Sequence, residues 1–498
     1  MFQSIKHFIC KHKKYVPFVF LGLLFFLFPN NNPTGDAYAY AYSALSGKEL
    51  FYPHHLLHCG LGYIVLNIFK FLPLEPLYIL QSLNILIGLL TLFFFRKILL
   101  LNNVLEKTIC YLLIFCGTCF SFIRFTIDYE TYILPVCISM IVIYYMQKIF
   151  SKYNKNNVIS VGLFCVFACL FHQLAVILLL ACFLGILFSI NRKYIWYFVC
   201  ISCLLPLVYA LVYYCLFSSL SLKGLITFIL HDYFSGNAQP PNLKTMLILT
   251  PISFFRTFIQ VHGYMFSIIK ISPLISFPLI VICLSLFIKS ILQIKKMKKL
   301  SSAHNSAQRK FSIFIFSLLI CYLLFAFLSN GNAEFMLIIP FLLIILLINY
   351  FTNLKFMLYL AYALLIWNTY FCLLPWNEKN FTTDKQLVDF IHNNKDNTYI
   401  LKEKPKIENM YLYYYGEENL KLYYYADLNT ISINNILSQD SLIYTDIFSH
   451  SNFSRASLSQ DFSSSFYGVS YAIDSSSTVS INSIYSKTIL YPITKSKY

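Results

Sequence analysis

"PHHLLHCGLGYIVLNIFKFLPLE", residues 53 to 75, decides how this chain is threaded. Its apolar part is nearly long enough to cross a hydrocarbon core of about 30 Å. If it crossed, the basic groups that follow, Arg96 with Lys97 and then Lys148 to Lys155, would fall outside, against the positive-inside rule. If it lies flat on the outer surface, every later basic loop falls inside. The segment is therefore expected as an interfacial helix within a long first external loop, residues 30–75.

The rest of the chain supports a membrane setting. Its 498 residues are 58% hydrophobic and 12% charged, with a mean hydropathy of +0.65. Soluble domains carry about 25% charged residues. Runs such as "YILQSLNILIGLLTLFFF" and "FSIFIFSLLICYLLFAFL" hold no ionised group, as a bilayer interior requires. The net charge of +17 suggests nucleic acid until its distribution is seen. Residues 1–375 hold 27 Lys and Arg against 8 Asp and Glu, whereas 376–498 hold 11 against 13. The basic excess gathers where apolar runs end, at Lys11 to Lys14, Arg96 and Lys97, Lys148 to Lys155, Arg192 and Lys193, and Lys295 to Lys310. That is a topology signal, and nucleic acid is excluded as a partner.

The sequence predicts an α-helical polytopic membrane protein with about eleven transmembrane helices and a small C-terminal external α/β domain. The helices fall near 15–29, 76–95, 108–125, 131–147, 157–171, 174–190, 194–217, 272–293, 311–328, 335–350 and 356–374. The stretch from Val158 to Ile190 would be about 50 Å long as one helix, so it is expected as a hairpin turning at His172 and Gln173. The first apolar run lacks a small-residue cleavage site and is expected to be retained, giving N-in and C-out. A second external loop, 218–271, should contain another surface helix. After the transmembrane catalytic domain, 1–375, the composition turns polar. Thr382 or Thr383 is placed to cap a helix over Lys385–His392, and "TYIL", "LKLYYYAD" and "SLIYTD" read as strands. The Ser-rich stretch 449–481 reads as loop or weak β. None of the 15 cysteines lies in 376–498, and no disulfide framework is expected.

The eight carboxylates before residue 376 are sorted by this topology. Asp36, Glu49, Glu75, Asp128, Glu130, Asp232 and Glu334 fall at external ends or loops, and Glu106 falls inside. The external face is thus the chemical face, because a carboxylate in the apolar core costs roughly 2.5–3.5 kcal/mol. Asp36, just beyond the first helix, suits a general base, and equally an N-cap for the "AYAYAYSAL" helix. Asp128 and Glu130 in "RFTIDYETYILP" are spaced so that an extended loop turns both to one side, as a metal or cationic group needs. Arg256, His262, Lys244 and Arg124 are external-side groups suited to a lipid phosphate. His54 and His58 would share a helical face at i, i+4, though no third metal ligand is evident. His54, His55, Tyr38, His172 and Glu334 are candidate substrate contacts. His172 at a hairpin apex and Glu334 at a helix start also suit purely structural roles.

In this arrangement the chain resembles the GT-C class of membrane glycosyltransferases, which includes oligosaccharyltransferase catalytic subunits, protein O-mannosyltransferases and lipid A aminoarabinose transferases. The carrying residues are "TGDAYAYAYSA" after a first helix, "PHHLL" opening a surface helix, "DYE" in the next external loop, a short helix hairpin and an external C-terminal domain. The resemblance implies a polyprenyl-phosphate-linked sugar as donor, a lipid, glycan or protein acceptor, and an inverting transfer. It places Asp36 as the essential first-loop acid and Asp128 with Glu130 as the D-x-E pair. A divalent cation, Mg or Mn, at Asp36, Asp128 and Glu130 is left open as a cofactor, with none required. Asp36 is followed by Ala37 where the mannosyltransferases carry a second acid, and no WWD-type motif occurs in 376–498. The cysteine-free external domain points to a bacterial inner membrane with a periplasmic active site. Two other classes stay open: an O-antigen polymerase or glycan transporter, and a non-enzymatic scaffold.

Overall fold

A computed structural model describes residues 14–189, 194–235, 240–261, 264–299, 306–402, 404–416, 420–428, 430–438, 442–448 and 471–495. A helix stands at each of the eleven expected places. Seven are long and apolar enough to cross a membrane: Pro76–Leu101, Ile133–Ser151, Ile195–Phe217, Pro273–Ile294, Ser306–Leu328, Ala333–Tyr350 and Lys355–Asn377. An eighth is a broken span in which Glu106–Gly117 and Phe120–Ile127 meet at 68°, where one straight helix over 108–125 is the sequence expectation. Val16–Leu27, Lys155–Phe171 and Gln173–Phe188 are shorter apolar helices. The turn at His172 and Gln173 is present, with a single 3-10 turn, Gln173–Ala175, between the two arms.

Residues 53–75 form a 3-10 turn, Pro53–His55, and a helix, His58–Phe69. At 12 residues that helix is about 18 Å long, too short to cross alone. The loop 218–271 holds four helices in place of one: Leu222–Ile229, His231–Phe234, Leu243–Phe258 and Tyr264–Ile271.

After Pro375 the chain builds a helix, Asp384–Asn393, and a mixed sheet. Thr398–Leu401 lies between Leu422–Tyr424 and Ile443–Thr445, parallel to both. Lys487–Lys495 then pairs antiparallel with Ile443–Thr445, Tyr471–Ile473 and Val479–Asn482. All three strand segments expected from the sequence are present, and the C-terminal end of the Ser-rich stretch is partly β. Its residues 449–470 lie outside the described residues.

The domain is fastened to the first loop by that loop's own sequence. Asn31 N–H donates to Trp376 O at 2.9 Å, and Asn32 Nδ2 donates to Trp376 O and Glu378 O at 3.1 and 2.7 Å. Asn377 Nδ2 returns a bond to Pro29 O at 3.0 Å. Gln81 Nε2 donates to Asn30 O at 2.8 Å, tying the turn to the Pro76–Leu101 span. One buried apolar cluster continues the joint, running from Ala37, Tyr38 and Ala41 to Val388, Ile391 and Tyr411. The domain's Lys404–Tyr415 helix packs so closely on Gly35 that a Cβ there would meet Lys406 Cα at 3.1 Å. A side chain at 35 would press on that backbone, a contact that glycine avoids. Replacing Asn32 by Ala removes two donors from carbonyls at the end of the last helix and should cost about 1–3 kcal/mol. The expected outcome is a lower thermal midpoint in purified protein, with Asn32→Asp no better, since a carboxylate cannot donate to those carbonyls.

Candidate functional site

The helix Gly35–Ser46 begins with a cap that the sequence assigns differently. Its N-cap is Thr34, whose hydroxyl accepts from Ala37 N–H at 3.1 Å, while Asp36 sits in the first turn. The same hydroxyl donates to Glu130 Oε1 at 2.6 Å, and Thr34 N–H donates to Asp128 Oδ2 at 3.2 Å. Asp128 and Glu130 thus do face one side, as their spacing predicts. What they face is Thr34. Both are buried, at 1% and 3% exposure, and neither lines the cavity described next. Asn84 holds the loop behind them, with Nδ2 donating to Asp128 O at 2.7 Å and Glu130 O at 3.1 Å. In this structure the pair therefore lies behind Thr34, bonded to the turn that starts the helix carrying Asp36. Among the described residues no group of three or more His, Cys, Asp or Glu is arranged to hold a metal ion.

The face of that helix formed by Asp36, Ala39, Tyr40 and Ser43 opens onto a cavity of about 1210 Å³. The i, i+3, i+4, i+7 spacing puts these four on one side and Tyr38 on the other. Tyr38 accordingly lies buried between Tyr413 and Tyr414, with ring centroids at 5.6 and 6.0 Å, and does not line the cavity. Asp36 is exposed to solvent on the cavity wall, with protein close around its carboxylate. That confinement raises its pKa above the ordinary carboxylate value; the Glu334 carboxylate raises it further and Arg124 opposes both.

Arg124, Arg256, Glu334, His54, His55 and His172 line the same cavity, so these six candidates from the sequence converge there with Asp36. Arg124 Nη2 meets Glu334 Oε1 at 3.3 Å, and Tyr132 Oη donates to Glu334 Oε2 at 2.8 Å. Lys244 is exposed on the Leu243–Phe258 helix and does not line the cavity. His262 lies outside the described residues. His54 and His58 do not share a face: the 3-10 turn aims His54 Nδ1 at Asp232 Oδ2, 3.2 Å away, while His58 stacks on Tyr129 at 4.6 Å. Burial lowers the pKa of His54 and His55, and lowers His172 to about 3. His172 Nδ1 accepts from Leu174 N–H at 3.1 Å, so the neutral ring carries its proton on Nε2.

Sequence reasoning missed Thr34, Tyr132, Asn84 and Gln173 as functional neighbours. Thr34 was open to detection as a threonine two residues before the first-turn acid, an N-cap signature. Gln173 gave no such signal, yet its Nε2 donates to Pro53 O at 3.0 Å and Ile229 O at 2.9 Å, joining the hairpin apex to both loops that wall the cavity.

No protein-family model and no curated protein sequence matches the chain. Among the solved structures similar to it are two of ArnT from Cupriavidus metallidurans. The one bound to undecaprenyl phosphate has a TM-score of 0.46 at 8% identity, covering 96% of this chain and 97% of that one. The apo structure has a TM-score of 0.40 at 10% identity, covering 97% and 98%.

Burial raises the pKa of Asp128 from 3.8 to about 6, against the pull of the Thr34 and Tyr129 N–H groups, Arg124 and Lys406. An acid whose folded-state pKa exceeds its unfolded value stabilises the fold fully below the unfolded pKa, and that contribution is lost as the pH rises through the folded pKa. Lowering the pH from about 7 towards 4 should therefore raise the stability of wild-type protein relative to Asp128→Asn, with the change centred between 3.8 and about 6. Thermal midpoints of the two proteins across that range check the sign.

Proposed function

We propose that this protein is a membrane glycosyltransferase that moves a sugar from a polyprenyl-phosphate donor to a hydroxyl of a lipid, glycan or protein acceptor. The observation that carries this is the mixed wall of the cavity. Asp36, Arg124, Glu334 and Arg256 face it on the polar side, and Leu249, Ile252, Phe325 and Leu328 face it from two neighbouring helices. All four of those apolar residues are exposed, as are Leu247, Phe255 and Leu324 on the same helices. A chamber with an ionic wall and a lipid-side apolar wall suits a substrate with a charged head and a long hydrocarbon tail.

In this mechanism the sugar-phosphate head enters with its tail along the Leu249–Ile252 side. Asp36 accepts the proton of the acceptor hydroxyl as that oxygen attacks the anomeric carbon. The bond from that carbon to the phosphate oxygen breaks, and its electron pair leaves with the lipid phosphate. Arg124 and Arg256 are the cations available to stabilise the developing charge. Single displacement inverts the anomeric configuration. The raised pKa of Asp36 suits a base working near neutral pH. Asp128 and Glu130 act through Thr34, by holding Asp36 in place. The neutral His172 and Tyr132 are placed to orient sugar hydroxyls.

Sidedness belongs to the same proposal. The cavity lies at the loop end of the bundle, with the C-terminal domain, and the clusters Arg96–Lys97 and Lys148–Lys155 lie at the opposite ends of their helices. By the positive-inside rule the cavity then faces outwards, periplasmic in a bacterial inner membrane. Membranes carrying Asp36→Asn should transfer labelled sugar from undecaprenyl-phosphate donors at least about 100-fold more slowly than wild type, while still binding donor. Equal rates would remove the base assignment. Absence of transfer from every lipid-linked donor by wild type would favour the transporter or scaffold readings. The rate should fall on acidification with an inflection above the ordinary aspartate value, because the base is lost once Asp36 is protonated.

A further inference from the structure

The two arginines of the cavity belong to helices that end or break beside one another. Arg124 is on Phe120–Ile127, just past the 68° break, and Arg256 is in the last turn of Leu243–Phe258. A helix end leaves carbonyls without partners, which is expensive away from water. Three of the backbone groups at these two ends meet one side chain. Asn368, at 0% exposure, donates from Nδ2 to Thr118 O at 2.7 Å and to Phe258 O at 2.8 Å, while its Oδ1 accepts from Gln260 N–H at 2.9 Å. Its neighbour Trp367 donates from Nε1 to Gln260 O at 2.8 Å. A direct bond, Ser121 Oγ to Thr257 O at 3.0 Å, joins the two helices themselves. Asn368 opens a π-helical stretch, Thr369–Leu373, in its own span, and such bulges often occur at functional sites.

We infer that Asn368 is a positioning residue that sets the placement of Arg124 relative to Arg256, and so the shape of the phosphate-receiving side of the cavity. The geometry calls for a carboxamide. Two donors must face two carbonyls while an acceptor faces an N–H, in one plane and without charge. Asp offers no donor when ionised, and Leu, of similar volume, offers neither group. The positioning claim is independent of the proposed reaction; its consequence for phosphate binding rests on that reading.

The test uses full-length protein in nanodiscs with two measurements. The first is the affinity for the methyl ester of geranylgeranyl phosphate, a phosphodiester that does not titrate near neutral pH. The second is the distance distribution between spin labels at Leu90 and Leu247, both exposed, with the exposed cysteines Cys200, Cys203, Cys215 and Cys321 changed to serine. Asn368→Leu should weaken the phosphodiester by roughly tenfold or more and broaden or shift the distance distribution. Asn349→Leu is the matched control: Asn349 is equally buried, donates to Ser312 Oγ at 3.1 Å, and does not line the cavity. It should lower the thermal midpoint while leaving affinity and distances unchanged. Should Asn368→Leu fail to fold, Asn368→Ser, which keeps one donor on a shorter arm, is read the same way. Wild-type distances and affinity in the folded Asn368 variant, or equal effects from Asn349→Leu, overturn the inference. If wild type does not bind the phosphodiester, the phosphate assignment fails and the distance measurement alone decides the role of Asn368.

Discussion

Thr34 links two loops that are 94 residues apart in sequence, and the candidate site depends on the three bonds it makes. Its hydroxyl caps the helix carrying Asp36 while donating to Glu130, and its N–H donates to Asp128. Each group has one role, so the cap fixes where the helix starts and the carboxylates fix where the cap sits. Because Asp128 and Glu130 are buried, a wrong position for Thr34 takes one donor from each carboxylate, leaving Asp128 with the Tyr129 N–H, at a cost of roughly 1–3 kcal/mol per lost bond. That cost holds the first turn, and with it Asp36, to one placement. The joint is closed from the other side by the Lys404–Tyr415 helix, whose Asn409 Nδ2 donates to Gly35 O at 3.2 Å.

The electrostatic consequence follows from the crowding. Asp36, Glu334, Asp128 and Glu130 share one region with the Arg124 guanidinium, which meets Glu334 directly. Arg124 opposes the rise in pKa of Asp36, Asp128 and Glu130. An anion arriving beside Arg124 would weaken that opposition and make Asp36 more basic as the substrate enters. In the proposed transfer, donor binding and base strength are coupled through one arginine, with no conformational change needed.

The helices, their order and the α/β tail were legible because hydropathy and basic-loop asymmetry report directly on the cost of burying charge. The flat placement of 53–75 came from the same argument; the helix found there, His58–Phe69, has 12 residues. The converging cavity residues were legible where a charge stood at a helix end, as with Asp36, Arg124, Arg256 and Glu334. Roles were not. D-x-E spacing shows that two carboxylates face one way without showing that Thr34 waits there, since that contact spans 94 residues. Tyr38 and Tyr40 are indistinguishable in "AYAYAY" until the helix phase relative to Asp36 is known. The break at Thr118 left no Pro or Gly pair to announce it; Gly117 alone precedes it, and the stabilising group is 250 residues away.

A pattern joins these long-range contacts. The chain avoids charge wherever lipid is near, and it fastens its irregular backbone with carboxamides instead: Asn32 and Asn377 at the domain joint, Asn84 behind the acid pair, Gln173 at the hairpin apex, Asn368 at the broken helix. Each offers two donors and an acceptor without the desolvation cost of an ion, which matches what paired helix ends leave unsatisfied. Asp36, Arg124, Arg256 and Glu334 are the ionisable groups placed on the cavity wall, where the proposed substrate head would meet them. On that division of labour, the Asn and Gln residues with long-range backbone bonds define the scaffold of the site, and the few charges left over define its chemistry.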